Sequence, residues 1–168
     1  GARAGAAQPT GTFSDEGSAL LTNATPGLGY GLDAGIGAGF FGLYAGYDHI
    51  QFNCHSASCN ESGKYELEGY SGGLRVGIPL FPLVKPWGKA GLTYNRTRGK
   101  FSSGTPDVET KKGLGYEIGA GVDIPIVSGF LSLTPQARLI RQRLNVGGAK
   151  RDANYYTFDI GLRLRSPI

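Results

Sequence analysis

Two cysteines and two histidines have the widest chemical repertoire in this chain, and three of the four sit close together. Cys54, His55 and Cys59 could clip a metal ion, but a structural zinc site takes four ligands and this stretch supplies three. The expected reading is a disulfide between Cys54 and Cys59, closing a small loop in an oxidising compartment. His49 follows Asp48, and neighbours on an extended strand leave opposite faces, so the two do not pair. The alternative to a non-enzymatic reading is a membrane lipid-modifying enzyme, a lipid hydrolase or acyltransferase, which needs a serine, a histidine and an acid converging at one rim. His49 with Ser71 is conceivable, but no spacing in the chain supports it. Gly35-Ile36-Gly37-Ala38-Gly39 has the glycine density of a phosphate loop, yet such a loop must open a helix. The residues that follow, Phe40-Phe41-Gly42-Leu43-Tyr44, alternate like a strand. No catalytic, cofactor-binding or metal-ligating site is expected, and the chain is not expected to be an enzyme.

The remaining charged and polar residues are informative through their phase. From Leu114 to Ile126, Leu114, Tyr116, Ile118, Ala120, Val122, Ile124 and Ile126 alternate with Gly113, Gly115, Glu117, Gly119, Gly121 and Asp123. A period of two is that of a β-strand. A soluble barrel would turn the large apolar residues inward. Here the other phase is too small and too charged to make an oily interior, which predicts a barrel turned inside out with lipid as the solvent of its greasy face.

The bulk numbers agree with a single small membrane barrel. A length of 168 residues with Gly 29, Tyr 9 and Met 0 fits one closed sheet. No charge-free apolar run reaches the about 18 residues of a membrane helix. A mean hydropathy of -0.17 is what half-polar strands give. The net charge of +4 comes without a basic helix or aromatic-basic interleaving, so nucleic acid is not an expected partner. The chain opens on Gly1, which fits a form that has lost a signal segment.

The alternation predicts eight strands, over residues 2–9, 27–37, 40–52, 64–79, 86–101, 112–126, 130–144 and 153–165. Short turns (37–39, 80–85, 127–129) alternate with long polar loops (10–26, 53–63, 102–111, 145–152), the layout of a barrel with its long loops outside the cell. Tyr30, Tyr47, Tyr70, Tyr94, Tyr116 and Tyr156 stand toward the long-loop ends. Phe40, Phe41, Phe81, Trp87 and Phe130 lie by the short turns, and the two sets are expected to form aromatic girdles.

The Pro9-Thr10-Gly11-Thr12-Phe13-Ser14-Asp15 stretch, the glycine-spaced segment from Gly27 to Gly35 and the alternating segment from Tyr155 to Leu164 carry a resemblance. The chain resembles the small eight-stranded outer-membrane β-barrels, the OmpA/OmpX-like family, over nearly its whole length. That resemblance implies an all-β, antiparallel, up-and-down transmembrane barrel in a bacterial outer membrane. Members of the family end on an aromatic residue read by the assembly machinery. This sequence departs from that pattern, ending Ser166-Pro167-Ile168.

Two sets of side chains then become candidates for function. Eight strands enclose a space that side chains just fill. Asp33, Asp48, Glu117, Asp123 and Asp159 share the inward phase with Arg75, Lys89, Arg138 and Arg163. Buried charges must pair, so a salt-bridge network centred on Glu117, Arg75 and Arg138 is expected. Tyr44, Thr93, Thr134 and Gln136 are expected to satisfy the remainder and leave a plugged, non-conducting lumen. On the outward phase, Arg96, Arg98, Lys112, Arg141 and Arg143 stand beyond the tyrosines on three neighbouring strands. They could meet lipopolysaccharide phosphates or merely mark a solvated edge, with Glu66 and Glu68 opposing them. The expected partners are outer-membrane lipids and lipopolysaccharide, with any extracellular ligand of the loops unidentified, and a monomer is expected.

Overall fold

The computed structural model describes residues 1–10, 24–54, 64–78, 84–100, 108–109, 113–127, 130–146 and 149–165. Strands are β1 (Ala2–Thr10), β2 (Ala24–Ala38), β3 (Phe41–Cys54), β4 (Lys64–Gly77), β5 (Lys85–Lys100), β6 (Val108–Glu109), β7 (Gly113–Val127), β8 (Leu131–Val146) and β9 (Ala149–Leu164). Each long strand pairs antiparallel with its neighbours in sequence, and pairing of β1 with β9 closes the ring. The result is a closed eight-stranded antiparallel barrel, without helices among the described residues. The two-residue β6, too short to carry an alternation, lies beside Arg98 and Gly99, above the point where β7 stops pairing with β5 at Gly113.

Closure pairs each long strand on both sides, as a lipid environment that offers no water to a sheet edge demands. At one short turn, β2 reverses into β3 through Gly39, whose φ of 61° belongs to the left-handed region that glycine adopts without cost. That is the true role of the glycine-dense stretch there. Within the barrel the inward glycines make room. A Cβ on Gly91 would overlap both the Tyr44 hydroxyl and the Gly72 backbone, so Tyr44 can cross the lumen only because position 91 lacks one.

The outward face is apolar from the short turns up to the tyrosine row. Leu43, Leu74, Leu92, Ile118, Phe158 and Leu162 are all at least half exposed. From Leu164 to Tyr156, at about 3.3 Å per residue and a tilt of about 40°, this band rises about 20 Å, close to the about 25 Å of outer-membrane barrels. Tyr30, Tyr70, Tyr94, Tyr116 and Tyr156 stand outward at its upper edge, with Tyr47 5.5 Å from Tyr70. Trp87 corrects the expectation of the lower girdle. It is 3% exposed and faces the lumen, because it shares the phase of Lys89. Phe81 lies outside the described residues.

A second correction concerns the interior. Beyond the tyrosines the alternation continues unbroken, but its polarity reverses. On β3, Ile50 and Phe52 are buried while Gln51 and Asn53 face out; on β4, Tyr65 and Leu67 are buried while Glu66 and Glu68 face out. Ala7, Ile140, Ala153 and Tyr155 complete an apolar cluster with them, and Phe52 meets Tyr155 edge-on at 5.7 Å. The strands are thus inside out where lipid is the solvent and oily inside where water is.

Candidate functional site

Arg138 of β8 is the centre of the lumen, its side chain 2% exposed. Its Nε donates to Thr157 Oγ1 at 3.0 Å and Asp159 Oδ2 at 2.9 Å; Nη1 donates to Asp48 Oδ2 at 3.0 Å and Glu117 Oε2 at 3.4 Å; Nη2 donates to Asp48 Oδ1 at 3.0 Å. One guanidinium thereby engages three carboxylates, which its five fixed donors allow and a lysine's point charge would not. Arg3 of β1 donates to Asp48 at 2.8 Å and pairs with Asp33. Glu117 also accepts from Tyr44 at 2.7 Å and from Lys89 at 3.3 Å, with Lys89 over the Tyr44 ring. Three cations and four carboxylates, from β1, β2, β3, β5, β7, β8 and β9, are tied across the lumen. Thr93 faces inward, as its phase predicts, but its hydroxyl has no partner among the described residues.

Glu117 and Arg138 meet as the sequence suggests; Arg75 does not join them. It lies at a lower level, where its Nη2 donates at 2.9 Å to both oxygens of Asp123. The same carboxylate accepts from Trp87 Nε1 and Thr134 Oγ1, each at 3.1 Å, and from Arg163 Nη1 at 3.4 Å. The charged interior is therefore two clusters rather than one. Gln136 reaches Asp159 at 3.5 Å, and Asn95 donates to Gln142, the cross-strand partner of Ala153 in the apolar cluster, at 2.7 Å.

The outward residues above the tyrosines divide by strand. Arg96 and Arg98 of β5 both pair with Glu68, Arg96 through Nε at 2.6 Å and Arg98 at 3.4 Å. Their cross-strand partners in the register are Glu68 and Glu66. Arg143 of β8 lies 3.5 Å from Asp152 and keeps 78% of its side chain exposed; Arg141, also exposed, stands between Tyr116 and Asn154. Lys112 and Cys59 lie outside the described residues. Cys54 ends β3, and its side chain is outside them too, as is His55.

His49 stacks on Tyr30 at a 5.1 Å centroid distance and is the cross-strand partner of Glu68. Asp48 and Ser71 face the lumen, both buried, on the other side of the sheet. The combination of His49 with Ser71 therefore does not form.

The outer membrane protein beta-barrel domain model matches residues 1–165. A search of curated proteins finds none that matches this chain. The fold is similar to that of Neisserial surface protein A, with a TM-score of 0.72 and 18% identity over 98% of this chain and 94% of that one. It is also similar to Ail, the attachment invasion locus protein of Yersinia pestis, with a TM-score of 0.52 and 12% identity over 97% and 95% of the two chains. These likenesses agree with the closed barrel and its bare apolar band. The chain belongs to the outer-membrane protein β-barrel domain family and is a protein of the bacterial outer membrane.

Proposed function

We propose that this barrel is a non-enzymatic surface protein whose lumen carries no current, acting through its outer rim and long loops. The single observation that supports this reading is the presence of two buried clusters, one above the other, inside the barrel. The Arg138 cluster ties seven strands across the lumen, and the buried cluster of Ile50, Phe52, Leu67, Ile140 and Tyr155 lies above it. Desolvated, mutually hydrogen-bonded charges offer no path for ions, because an ion would have to displace a partner at a cost of several kcal/mol. Function then falls to surfaces that water and other molecules reach. In this reading Cys54 and Cys59 are bonded and shape the second long loop, and the exposed Arg141 and Arg143 meet lipopolysaccharide phosphates. Arg96 and Arg98 contribute less, since both share Glu68. The names of the two structural relatives, a surface protein and an attachment invasion locus protein, agree with a surface role. The test is conductance of the purified barrel in a planar lipid bilayer. The reading expects no stable channel openings; large, steady single-channel currents would overturn it.

A further inference from the structure

At the end opposite the loops, the barrel mouth carries more positive charge than its own acids balance. Arg75 of β4, Lys85 of β5, Arg163 of β9 and Arg165, just past that strand, share the inward phase there. Among the described residues, the ion pairs of Arg75, Arg163 and Arg165 all end on Asp123, at 2.9, 3.4 and 3.9 Å. Lys85 is the cross-strand partner of that same residue. Asp33, the other acid of the lower barrel, is held by Arg3, and residues 38–40, 78–84 and 127–130 contain no Asp or Glu.

Asp123 has no capacity left to neutralise them. Its two oxygens already accept from Arg75, Trp87, Thr134 and Arg163, which uses the lone pairs a carboxylate has. Arg165, at 3.9 Å, is beyond hydrogen-bond distance. The cations grade from enclosed to open: the Arg75 side chain is 16% exposed, Arg163 26% and Arg165 53%. The Trp87 ring lies beneath Arg75 at 4.0 Å and Arg163 at 5.8 Å, which orients two guanidinium planes without neutralising either. Three guanidiniums about one carboxylate leave an uncompensated charge of two, with Arg165 the most exposed of the three.

The geometry points to a binding site for a multiply charged phosphate group at the short-turn mouth, held by Arg163 and Arg165 with Arg75 behind them. Guanidinium forks match phosphate oxygens, and a dianion offsets the mutual repulsion of the cations. Such a group is carried by a free phosphate or by the headgroup of a neighbouring lipid. This site is independent of the surface role, since it uses the other end of the molecule.

The experiment titrates pyrophosphate, at constant ionic strength, into the barrel folded in zwitterionic detergent, and follows arginine side-chain NMR signals. A parallel series replaces pyrophosphate with phosphatidic acid, whose headgroup is a phosphomonoester that reaches a charge of two, in bicelles. The variants are the double change Arg163→Gln with Arg165→Gln and, because it perturbs the fold least, Arg165→Gln alone. Saturable binding that weakens by about tenfold in the double variant and less in the single one supports the site. A response to pyrophosphate assigns it to a free phosphate, and a response to the lipid alone to a headgroup. No saturable response in either series overturns the proposal, and so does binding that both variants leave unchanged.

Discussion

Arg138 ties three carboxylates together inside the barrel, and its position in the hydrogen-bond network gives it a measurable cost. Replacing Arg138 with methionine keeps most of the volume and strands Asp48, Glu117 and Asp159 without their shared donor. Breaking a buried charged network from one side costs about 3–5 kcal/mol. The variant is expected to lower the urea midpoint of the vesicle-folded barrel accordingly, whereas Arg138→Lys, which keeps the charge, falls between. At the rim, Arg141→Gln with Arg143→Gln is expected to reduce co-purified lipopolysaccharide more than Arg96→Gln with Arg98→Gln, because the latter pair already shares Glu68. Phosphate analysis of the purified barrels measures this; equal retention by both variants and the parent would make the arginines a solvated edge. The inward charges were legible in the sequence because parity assigns a face: Asp48, Glu117, Arg138 and Asp159 all stand where their phase puts them. Parity does not assign height, which depends on strand tilt and stagger. Arg75 therefore belongs to Asp123 rather than to Glu117, and no pattern in the chain distinguished the two. Arg3 and Trp87 were legible but missed. Arg3 shares the phase of Gly5 on a strand of thin polarity, and Trp87 that of Lys89, although its nearness to a turn suggested a girdle.

A single strand of this barrel serves two solvents, and a period of two does not tell one zone from the other. The eight long strands match the alternation to within a few residues at each end, because the period of two persists through both zones. Expecting a polar inward phase along the whole length held for Tyr44 and Asp48 but failed for Ile50 and Phe52, on the same face of β3. The outer part of β3 obeys the ordinary rule for a soluble sheet, and adjacent residues there should respond oppositely to truncation. Phe52→Ala removes a fully buried ring from the apolar cluster and should destabilise by about 3–5 kcal/mol. Its outward neighbour Gln51, changed to alanine, should stay within about 0.5 kcal/mol. Urea unfolding of the two variants against the parent measures both. Comparable losses at both positions would mean that this part of the strand is not a water-facing sheet.

Taken whole, the molecule is a stack of layers along the barrel axis: an apolar cluster, the Arg138 network and the Asp123 cluster inside, and a charged rim above a lipid band outside. The tyrosine row marks where the surrounding solvent changes, and β3 runs through it with outward residues Phe41, Leu43, Ala45, Tyr47, His49, Gln51 and Asn53. The most direct measurement places single nitroxide labels at these positions in vesicle-folded protein, with Cys54 and Cys59 replaced by serine. Their accessibility to oxygen, which concentrates in lipid, is compared with that to a water-soluble nickel chelate. Oxygen-dominated relaxation is expected at Leu43 and Ala45, a crossover at Tyr47, and nickel-dominated relaxation at Gln51 and Asn53. A lipid signature continuing to Asn53, or an aqueous one already at Leu43, would contradict that expectation.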